Sequence, residues 1–541
     1  MNHTQPLSPS RSQESPFGAP VGEVLLILLV FFATAGDPVP HVNEPHYLCR
    51  LKHFWNPDWC RGDLFLDSPD AHGLFVWLFG WVTRWLTLTR TAWLGRILAW
   101  SFVAFAWQRL SWRVLPKPLV SVLTAAMWVA LTELAHLAGE WVVGGVEAKC
   151  FAYGFVLLAL ADLIDERWNR AWIWLGAASA FHALVGGWSV IVCGGIWFWG
   201  TFRNTDTNHS LLRSFTNMLP GLLVGGLLGL VGVIPALALT WNEAPEVVAE
   251  ANRIYVFERL SHHLALLSLP PAEATTRIGR HALLILALVI LMRLNRQPQH
   301  DPERTGLRVV TLYAWGAVVL AALGFTIEIA LWNHPLTAAS LLRYYWFRLT
   351  DIAVPMAVAF QAVTLIVTGF TQRRTWALWA LAGAIGLCGC HIALRTAHRF
   401  TYPTPPADLR MDNYAAWVDV CDWIAENTPP DARFLTPRMS QTFKWRTGRP
   451  EVATRKDIPQ DARSMVAWFD TLEDIFYWQL DEGMEPLGHI GQLGTARAVE
   501  MARKYGAKYI LSDRDHPLAL PPVYPTREHP NDEYVVYEIK D

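Results

Sequence analysis

The chain has 541 residues, of which 52% are hydrophobic and only 17% are charged, and its mean hydropathy is +0.21. The formal net charge of −2 gives no indication of nucleic-acid binding through a basic surface, and no nucleic-acid partner is expected. The sequence also contains 28 tryptophans, a residue that is enriched at membrane–water interfaces. This composition predicts a polytopic α-helical membrane protein.

The first residues form a polar segment rich in serine and proline. Met1–Gly18 contains one strong base, Arg11. It lacks the basic start of a secretory signal peptide, and no small-residue cleavage site follows the apolar stretch. We therefore expect residues 1–20 to be a disordered cytoplasmic tail that leads into the first span.

Eleven runs of mostly apolar residues follow, with about the length at which a helix crosses a bilayer. They predict about eleven spans, near Val21–Gly36, Thr91–Leu110, Leu119–Ala138, Lys149–Leu163, Ala171–Gly187, Trp188–Phe202, Leu219–Trp241, Gly279–Arg293, Val309–Leu331, Ile352–Phe370 and Trp376–Arg395. The segment His72–Leu88 is apolar but contains Arg84, so we expect it to lie along the interface. The transmembrane part is thus predicted to occupy residues 21–398, with a long loop at 37–90.

Arginines in alternate connectors predict the orientation of these spans. They include Arg109, Arg113, Arg167, Arg170, Arg373 and Arg374. The positive-inside rule places such connectors on the cytoplasmic side. The loop 37–90 is then on the outer side, and the predicted location is the inner (plasma) membrane.

The composition changes after His398. A proline-rich linker leads into a stretch that is soluble in character, with helices predicted at Trp417–Ala425 and Thr495–Tyr505 and strands at Arg433–Leu435, Lys508–Leu511 and Glu533–Ile539. Residues 399–541 are therefore predicted to form a small α/β domain. Because an odd number of spans precedes it, we expect this domain to be extracytoplasmic.

The outer loop 37–90 gathers carboxylates, imidazoles and aromatic rings, many more than a connector needs. Glu44 follows the first span closely. A carboxylate in a partly dry site can act as a general base toward an acceptor hydroxyl, or it can bind a divalent cation that neutralises a phosphate leaving group. Asp37, at the exit of the span, is the second catalytic candidate. The alternative for either residue is a solvated acid that caps an interfacial helix.

Glu147 and Lys149 lie in a glycine-rich turn beside a predicted span. Charged groups at membrane depth are costly, so they usually face a bundle interior or a water-filled cavity. We expect this pair either to contact the substrate or to form an internal salt bridge without a substrate role.

Two later outer segments carry further candidates for substrate binding. His262 and His263 end an amphipathic segment and suit a phosphate or a metal. Arg343 and Arg348 flank Tyr345 at the mouth of a late span. Arginine binds phosphate oxygens bidentately, and aromatic rings beside it can hold a lipid chain or a sugar face. The alternative is interfacial anchoring, which is common in membrane proteins.

Cys49 and Cys60 share the outer loop, and they are either bridged in an oxidising compartment or two free thiols. No pair among the seven cysteines has zinc-ribbon spacing. No metal site is predicted, and a divalent cation beside Glu44 is the one cofactor that the sequence leaves open.

An acidic outer loop after the first span, many spans, a late arginine cluster and a terminal outer domain together resemble the C-type glycosyltransferase (GT-C) superfamily. Its members transfer sugars from polyprenyl-phosphate donors with a carboxylate of the first loop. Asn43-Glu44-Pro45-His46 is similar to the Asp-Glu segment of protein mannosyltransferases and aminoarabinose transferases, but Asn43 replaces the aspartate, so only Glu44 carries over.

A second resemblance spans most of the chain. Gly144-Gly-Val-Glu-Ala-Lys, Phe181-His-Ala-Leu-Val-Gly-Gly-Trp, Arg259-Leu-Ser-His-His and Lys456-Asp-Ile-Pro-Gln-Asp look like segments of a bacterial multi-pass membrane family of the same architecture. This family has no assigned activity, so the resemblance implies a fold alone.

The residues and the resemblance together predict a membrane glycosyltransferase. It would move a sugar from a polyprenyl-phosphate donor to an acceptor at the outer face, with Glu44 and Asp37 catalytic and Arg343 and Arg348 at the donor phosphate. The expected partners are a lipid-linked sugar donor and membrane lipids, and the oligomeric state is left open. The alternatives are a transporter or flippase of lipid-linked glycans, and a non-catalytic assembly or sensor subunit.

Overall fold

The computed structural model of the protein describes residues 18–203, 211–295, 305–477 and 485–540. Residues 1–17 of the predicted tail lie outside the described residues. Residues 18–20 already belong to the first helix, Gly18–Ala35, so the predicted tail ends earlier than expected.

The described part of the chain is mostly helical and contains 21 α-helices. In chain order they are α1 (Gly18–Ala35), α2 (Glu44–Trp55), α3 (Leu64–Asp67), α4 (Gly73–Gly80), α5 (Leu88–Val114), α6 (Val120–Ala135), α7 (Ala148–Ile164), α8 (Trp168–Phe181), α9 (Ala183–Arg203), α10 (Leu211–Ala238), α11 (Pro245–Arg253), α12 (Ser261–Leu264), α13 (Pro271–Leu294), α14 (Thr305–Ala330), α15 (Pro335–Leu342), α16 (Thr350–Thr371), α17 (Trp376–Thr401), α18 (Tyr414–Asn427), α19 (Phe443–Thr447), α20 (Ala462–Phe476) and α21 (Thr495–Lys504).

Each of the eleven apolar segments found in the sequence overlaps a helix of its own, although Ala171–Gly187 also runs past the end of α8 at Phe181 into α9. These helices are α1, α5 to α10, α13, α14, α16 and α17. The segment His72–Leu88, expected to be one helix, is instead α4 followed by the short 3₁₀ segment Trp81–Arg84. Long apolar runs form helices because a helix satisfies its own backbone hydrogen bonds, as the interior of a bilayer requires.

Five helices of the described residues are long and apolar enough to cross a membrane. The corresponding segments are Ala183–Thr201, Phe215–Ala238, Thr305–Ala330, Thr350–Thr371 and Trp376–Thr401, and two shorter apolar helices are Pro20–Ala35 and Val120–Ala135. The surfaces of α10 and α17 expose large apolar side chains such as Leu227 and Leu387. Outward apolar faces of this extent suit contact with lipid. The count of about eleven spans stays a prediction.

Helix α16 lies at the centre of the bundle, where it packs against α6, α13, α14 and α17. Trp107 stacks between Trp128 and Phe360, with ring centroids 4.4 and 5.3 Å away, so aromatic packing joins α5, α6 and α16.

A four-stranded sheet forms near the end of the chain, with β1 (Phe434–Leu435), β2 (Tyr509–Asp513), β3 (Pro522–Tyr524) and β4 (Tyr534–Glu538) in the order β1-β2-β4-β3. β1 pairs with β2 in parallel, while β4 is antiparallel to both β2 and β3. Helices α18 and α21 and strands β1, β2 and β4 lie where the sequence predicts them, and α19, α20 and β3 are additional elements.

The C-terminal elements pack closely on the connectors of the helical bundle. Helix α20 lies against α11, and the backbone N–H of Ala462 donates to the carbonyl of Leu239 at 3.1 Å. Ala251 and Ile254 belong to the same buried cluster as Trp468. This contact forms one wall of the site described next, while a domain boundary at residue 399 stays a prediction.

Candidate functional site

A cavity of about 730 Å³ lies between the connectors of the helical bundle and the C-terminal elements. The segments before α2, before α7, around α12 and before α16 line it, together with residues 456–465. The seven residues that the sequence named for substrate binding all line this one cavity: Arg343, Arg348, Tyr345, His262, His263, Glu147 and Lys149. Their roles stay predictions, but the fold brings them together from three separate segments.

The cavity is lined by more cations than carboxylates. The cationic residues are Lys149, Arg259, Arg277, Arg343, Arg348 and Lys456, and the acidic residues are Glu140 and Glu147. Among the described residues, no carboxylate lies within ion-pair distance of Arg259, Arg343 or Lys456. The cavity therefore favours an anionic ligand.

The two carboxylates belong to one buried network. Arg348 places its Nε 3.1 Å from Oε2 of Glu140, and the ammonium of Lys149 lies 3.6 Å from Glu140 and 3.3 Å from Glu147. The amide of Asn43 donates to Oε1 of Glu147 at 2.8 Å. The expected internal salt bridge therefore exists, and it lies in the wall of the cavity.

One oxygen of Glu140 is free of these contacts. Its Oε1 is buried and has no hydrogen-bond partner among the described residues. Burial raises the pKa of Glu140, although Arg348 and Lys149 act in the opposite direction. A buried carboxylate with a raised pKa and an unused oxygen can accept a proton.

Neighbouring side chains hold the two arginines of the cavity, Arg343 and Arg348. The guanidinium of Arg348 lies 3.8 Å from the ring centroid of Tyr345, a cation–π contact. The hydroxyls of Tyr345 and Tyr255 are 3.0 Å apart. Arg343 donates to the amide oxygen of Asn252 at 2.5 Å. These contacts hold both guanidinium groups in place beside the cavity.

Burial and neighbouring cations change the pKa values of several lining groups. Burial, together with Arg259, lowers the pKa of His262 to about 4 and that of Lys456 to about 7. Burial likewise lowers the pKa of His263 well below its ordinary value. The two histidines are therefore neutral at neutral pH, whereas Lys456 titrates there.

Glu44, the predicted general base, lies outside the lining of this cavity. It is fully buried, and its two oxygens accept from Nε and Nη2 of Arg96 at 2.7 Å each. The backbone N–H groups of His41 and Val146 donate to it as well, at 2.7 and 3.1 Å. A Cβ at Gly145 would lie 2.8 Å from that of His41, so this enclosure needs glycine there. To act on a substrate, Glu44 would have to leave Arg96.

Asp37, the second catalytic candidate, lines a smaller neighbouring cavity. Its carboxylate lies 3.5 Å from both Arg395 and Arg399 of α17. The structure therefore brings together the predicted binding residues but separates them from both predicted catalytic residues.

The sequence analysis selected Glu147 and Lys149 as site residues but not Glu140 or Lys456, which also line the cavity. Both were visible as charges in short motifs, but nothing local indicates that they face the same space. Cys49 and Cys60 are free, buried thiols, in agreement with the second of the two alternatives. In the part of the chain that the structure describes, no group of three or more His, Cys, Asp or Glu residues could hold a metal ion.

A family model described as Domain of unknown function (DUF6798) matches residues 415–475, a minor part of the chain that runs from α18 into α20. No curated protein matches.

Two solved structures of ArnT from Cupriavidus metallidurans are similar to this chain, each with 14% identity. The apo form covers 96% of this chain and 98% of its own, with a TM-score of 0.37. The form bound to undecaprenyl phosphate covers 97% and 98%, with a TM-score of 0.30. Scores this low do not establish a shared fold, so what the cavity binds must follow from its own residues.

Proposed function

We propose that this protein is a membrane glycosyltransferase that moves a sugar from a polyprenyl-phosphate donor to an acceptor hydroxyl. The observation that carries the proposal is the cavity of about 730 Å³ with three cations, Arg259, Arg343 and Lys456, that have no carboxylate partner among the described residues. The outer face of the inner membrane is the proposed location of the reaction.

The donor phosphate would bind between these three cations. Guanidinium groups donate to phosphate oxygens in a bidentate fork, and the contact with Asn252 already orients Arg343. An anion at this position would neutralise a cationic surplus that the two carboxylates of the cavity leave uncompensated.

The lipid part of the donor would leave the cavity along the ends of two apolar helices. The cavity is lined there by Leu184 at the start of α9, by Ala236 near the end of α10 and by Leu239 just after α10. Both helices contain segments long and apolar enough to cross a membrane. A ligand with a charged head and an apolar chain fits a cavity with a cationic interior and an apolar border.

Glu140 is the proposed general base. The acceptor oxygen would form a bond to the anomeric carbon while the bond between that carbon and the phosphate oxygen breaks. The polyprenyl phosphate leaves with the electron pair of that bond, and the free oxygen of Glu140 takes the proton of the hydroxyl. Glu44, which the sequence suggested for this role, would instead hold the loop before α2 in position through Arg96.

Transfer in liposomes tests the proposal. Purified protein would be incubated with radiolabelled polyprenyl-phosphate sugars and a panel of acceptors. We expect Arg343→Ala to weaken donor binding by about tenfold or more, since a hydrogen bond to a charged group is worth roughly 1.5–3 kcal/mol. Glu140→Gln should abolish transfer while donor binding persists.

Arg61→Ala is the matched control, because its side chain is 80% exposed and does not line the cavity. It should transfer sugar at the wild-type rate. The proposal would be overturned if folded protein bound the donor but transferred no sugar to any acceptor of the panel. Movement of the intact donor between leaflets would also overturn it. Either result would favour a transporter.

A further inference from the structure

A second cavity, of about 230 Å³, adjoins the large one. It lies between α1, α6 and the segment 139–144, with Arg395 of α17 at its edge. The two cavities share the lining residues His41, His136, Gly139, Glu140 and Trp141. Glu140 therefore faces both spaces.

Several buried polar atoms around the small cavity have no hydrogen-bond partner among the described residues. They are Oγ1 of Thr132, Nδ1 of His41, Nδ1 of His136 and Oε1 of Glu140. Thr132 and Glu140 are themselves more than nine-tenths buried, with 7% and 4% exposure. Buried polar atoms nearly always have partners in folded proteins. These four atoms belong to residues that line one space, and they could serve a ligand that offers hydrogen-bond donors and acceptors.

The charges of the small cavity differ from those of the large one. Its one arginine, Arg395, is paired with Glu133 at 3.2 Å and with Asp37 at 3.5 Å. Glu140 is the third carboxylate in the lining. No cation of this lining is left unpaired, so the small cavity offers a phosphate three carboxylates and no free positive charge.

We propose that the small cavity binds the acceptor, and that the acceptor presents an uncharged hydroxyl-bearing group, such as a saccharide or another polyol, rather than a phosphate. This inference rests on the proposed function, because it assigns the second substrate of the same reaction. The shared wall at Glu140 lets one carboxylate reach an acceptor hydroxyl on one side and the donor on the other.

Charge-selective thiol reagents test the small cavity without turnover. Thr132→Cys places a thiol in the small cavity, and Thr240→Cys places one in the lining of the large cavity. Both variants carry Cys390→Ser, because Cys390 is the exposed native cysteine of the described residues. Neutral, anionic and cationic methanethiosulfonates of similar size would be compared, with rates normalised to a free thiol.

We expect the anionic reagent to modify Thr132→Cys about tenfold or more slowly than the neutral reagent, and to modify Thr240→Cys at least as fast as the neutral one. The inference fails if the anionic reagent reacts equally well at both positions. It also fails if no reagent reaches Thr132→Cys in protein whose Thr240→Cys counterpart is modified.

Acceptor kinetics provide the second test. Thr132→Val removes the hydroxyl and keeps the shape, so we expect a KM for a neutral methyl glycoside several-fold higher, with the donor KM unchanged. Thr132→Ser restores the hydroxyl and should restore the KM. If wild type transfers sugar and Thr132→Val leaves the acceptor KM unchanged, this inference fails while the proposed function stands. If wild type transfers to no acceptor, the proposed function itself fails.

Discussion

Glu44 and Arg96 form an ion pair in which both side chains have no exposed surface. Burial alone would raise the pKa of Glu44, but the hydrogen bonds and charge of Arg96 lower it below its ordinary value. A pair of this kind contributes little when complete, yet removal of one partner leaves a buried charge without compensation. The residue therefore matters for stability whether or not it has a catalytic role.

Glu44→Gln is expected to destabilise the protein by about 3–5 kcal/mol, because it leaves the guanidinium of Arg96 buried and uncompensated. Thermal denaturation in detergent measures the effect. Asp58→Asn is the control, since that carboxylate is 90% exposed, and it should leave the denaturation midpoint unchanged. A Glu44→Gln protein with wild-type stability and no transfer would identify Glu44 as the base instead.

Lys456 is the cavity cation whose charge changes near neutral pH, since burial and Arg259 lower its pKa to about 7. The protonated ammonium attracts the donor phosphodiester, which itself keeps one negative charge in this range. Donor affinity should therefore fall as the pH rises through about 7, by at most about tenfold per pH unit. A donor affinity that rises with pH would contradict this prediction, because deprotonation of Lys456 removes positive charge from the cavity.

Binding isotherms of a polyprenyl-phosphate sugar between about pH 6 and pH 8.5 test this dependence. The variant Lys456→Met should bind the donor more weakly at the acidic end and show a flat profile. A wild-type profile that is flat, or a slope that survives in the variant, would assign the pH dependence to another group.

Helix α19 owes its position to one buried lysine. The ammonium of Lys444 contacts Glu451, lies 2.7 Å from Asp457, and reaches Asp63 of the first loop at 3.4 Å. Burial alone would lower the pKa of Lys444, but these carboxylates raise it well above its ordinary value. Asp457 also lies 3.3 Å from Nδ1 of His46, which lines the large cavity. Helix α19 therefore connects the loop 37–90 to the part of the large cavity's wall that contains Lys456.

Lys444→Met should leave three buried carboxylates without their cation and destabilise the protein by about 3–5 kcal/mol. We also expect faster hydrogen exchange in residues 443–460. Donor binding should weaken as well, because Asp457, the residue next to Lys456, loses its contact with Lys444. Lys504→Ala removes an exposed lysine that pairs with Asp474 and should change none of these quantities. A Lys444→Met protein with wild-type exchange would show that the cluster does not hold this element.

At the scale of the whole molecule, the predicted orientation puts the large cavity and the C-terminal sheet on the outer side. Helix α17 ends at Thr401, and the elements after it pack on the connectors that line the cavity. These connectors and the C-terminal elements must therefore share one side of the membrane.

Reporter fusions test this orientation. Alkaline phosphatase joined after the last residue should be active in a bacterial host, because that enzyme folds outside the cytoplasm. A fusion at Arg374, in the arginine-rich connector between α16 and α17, should be inactive by the positive-inside rule. The opposite pattern would place the cavity in the cytoplasm and exclude a reaction at the outer face.

The sequence by itself determined the local features of this protein. Apolar runs predict a helix at each of eleven positions, because the period and length of such runs act within one segment. The same holds for α18 and β4, whose patterns are complete in about ten residues. Arg343 and Arg348 beside Tyr345 were candidates for phosphate recognition from the sequence, with interfacial anchoring as the alternative.

The tertiary structure alone decided that Glu44 is enclosed, whereas Glu140 lines the large cavity. Arg96, which pairs with Glu44, lies 52 residues after it in the chain. The residues next to Glu44 in the sequence do not indicate this partner. Glu140 and Lys456 are more than three hundred residues apart, and they line one cavity because α20 packs on α11. Burial and counter-charges come from distant segments, so the chemical role of an ionisable residue follows from the fold and not from its local motif.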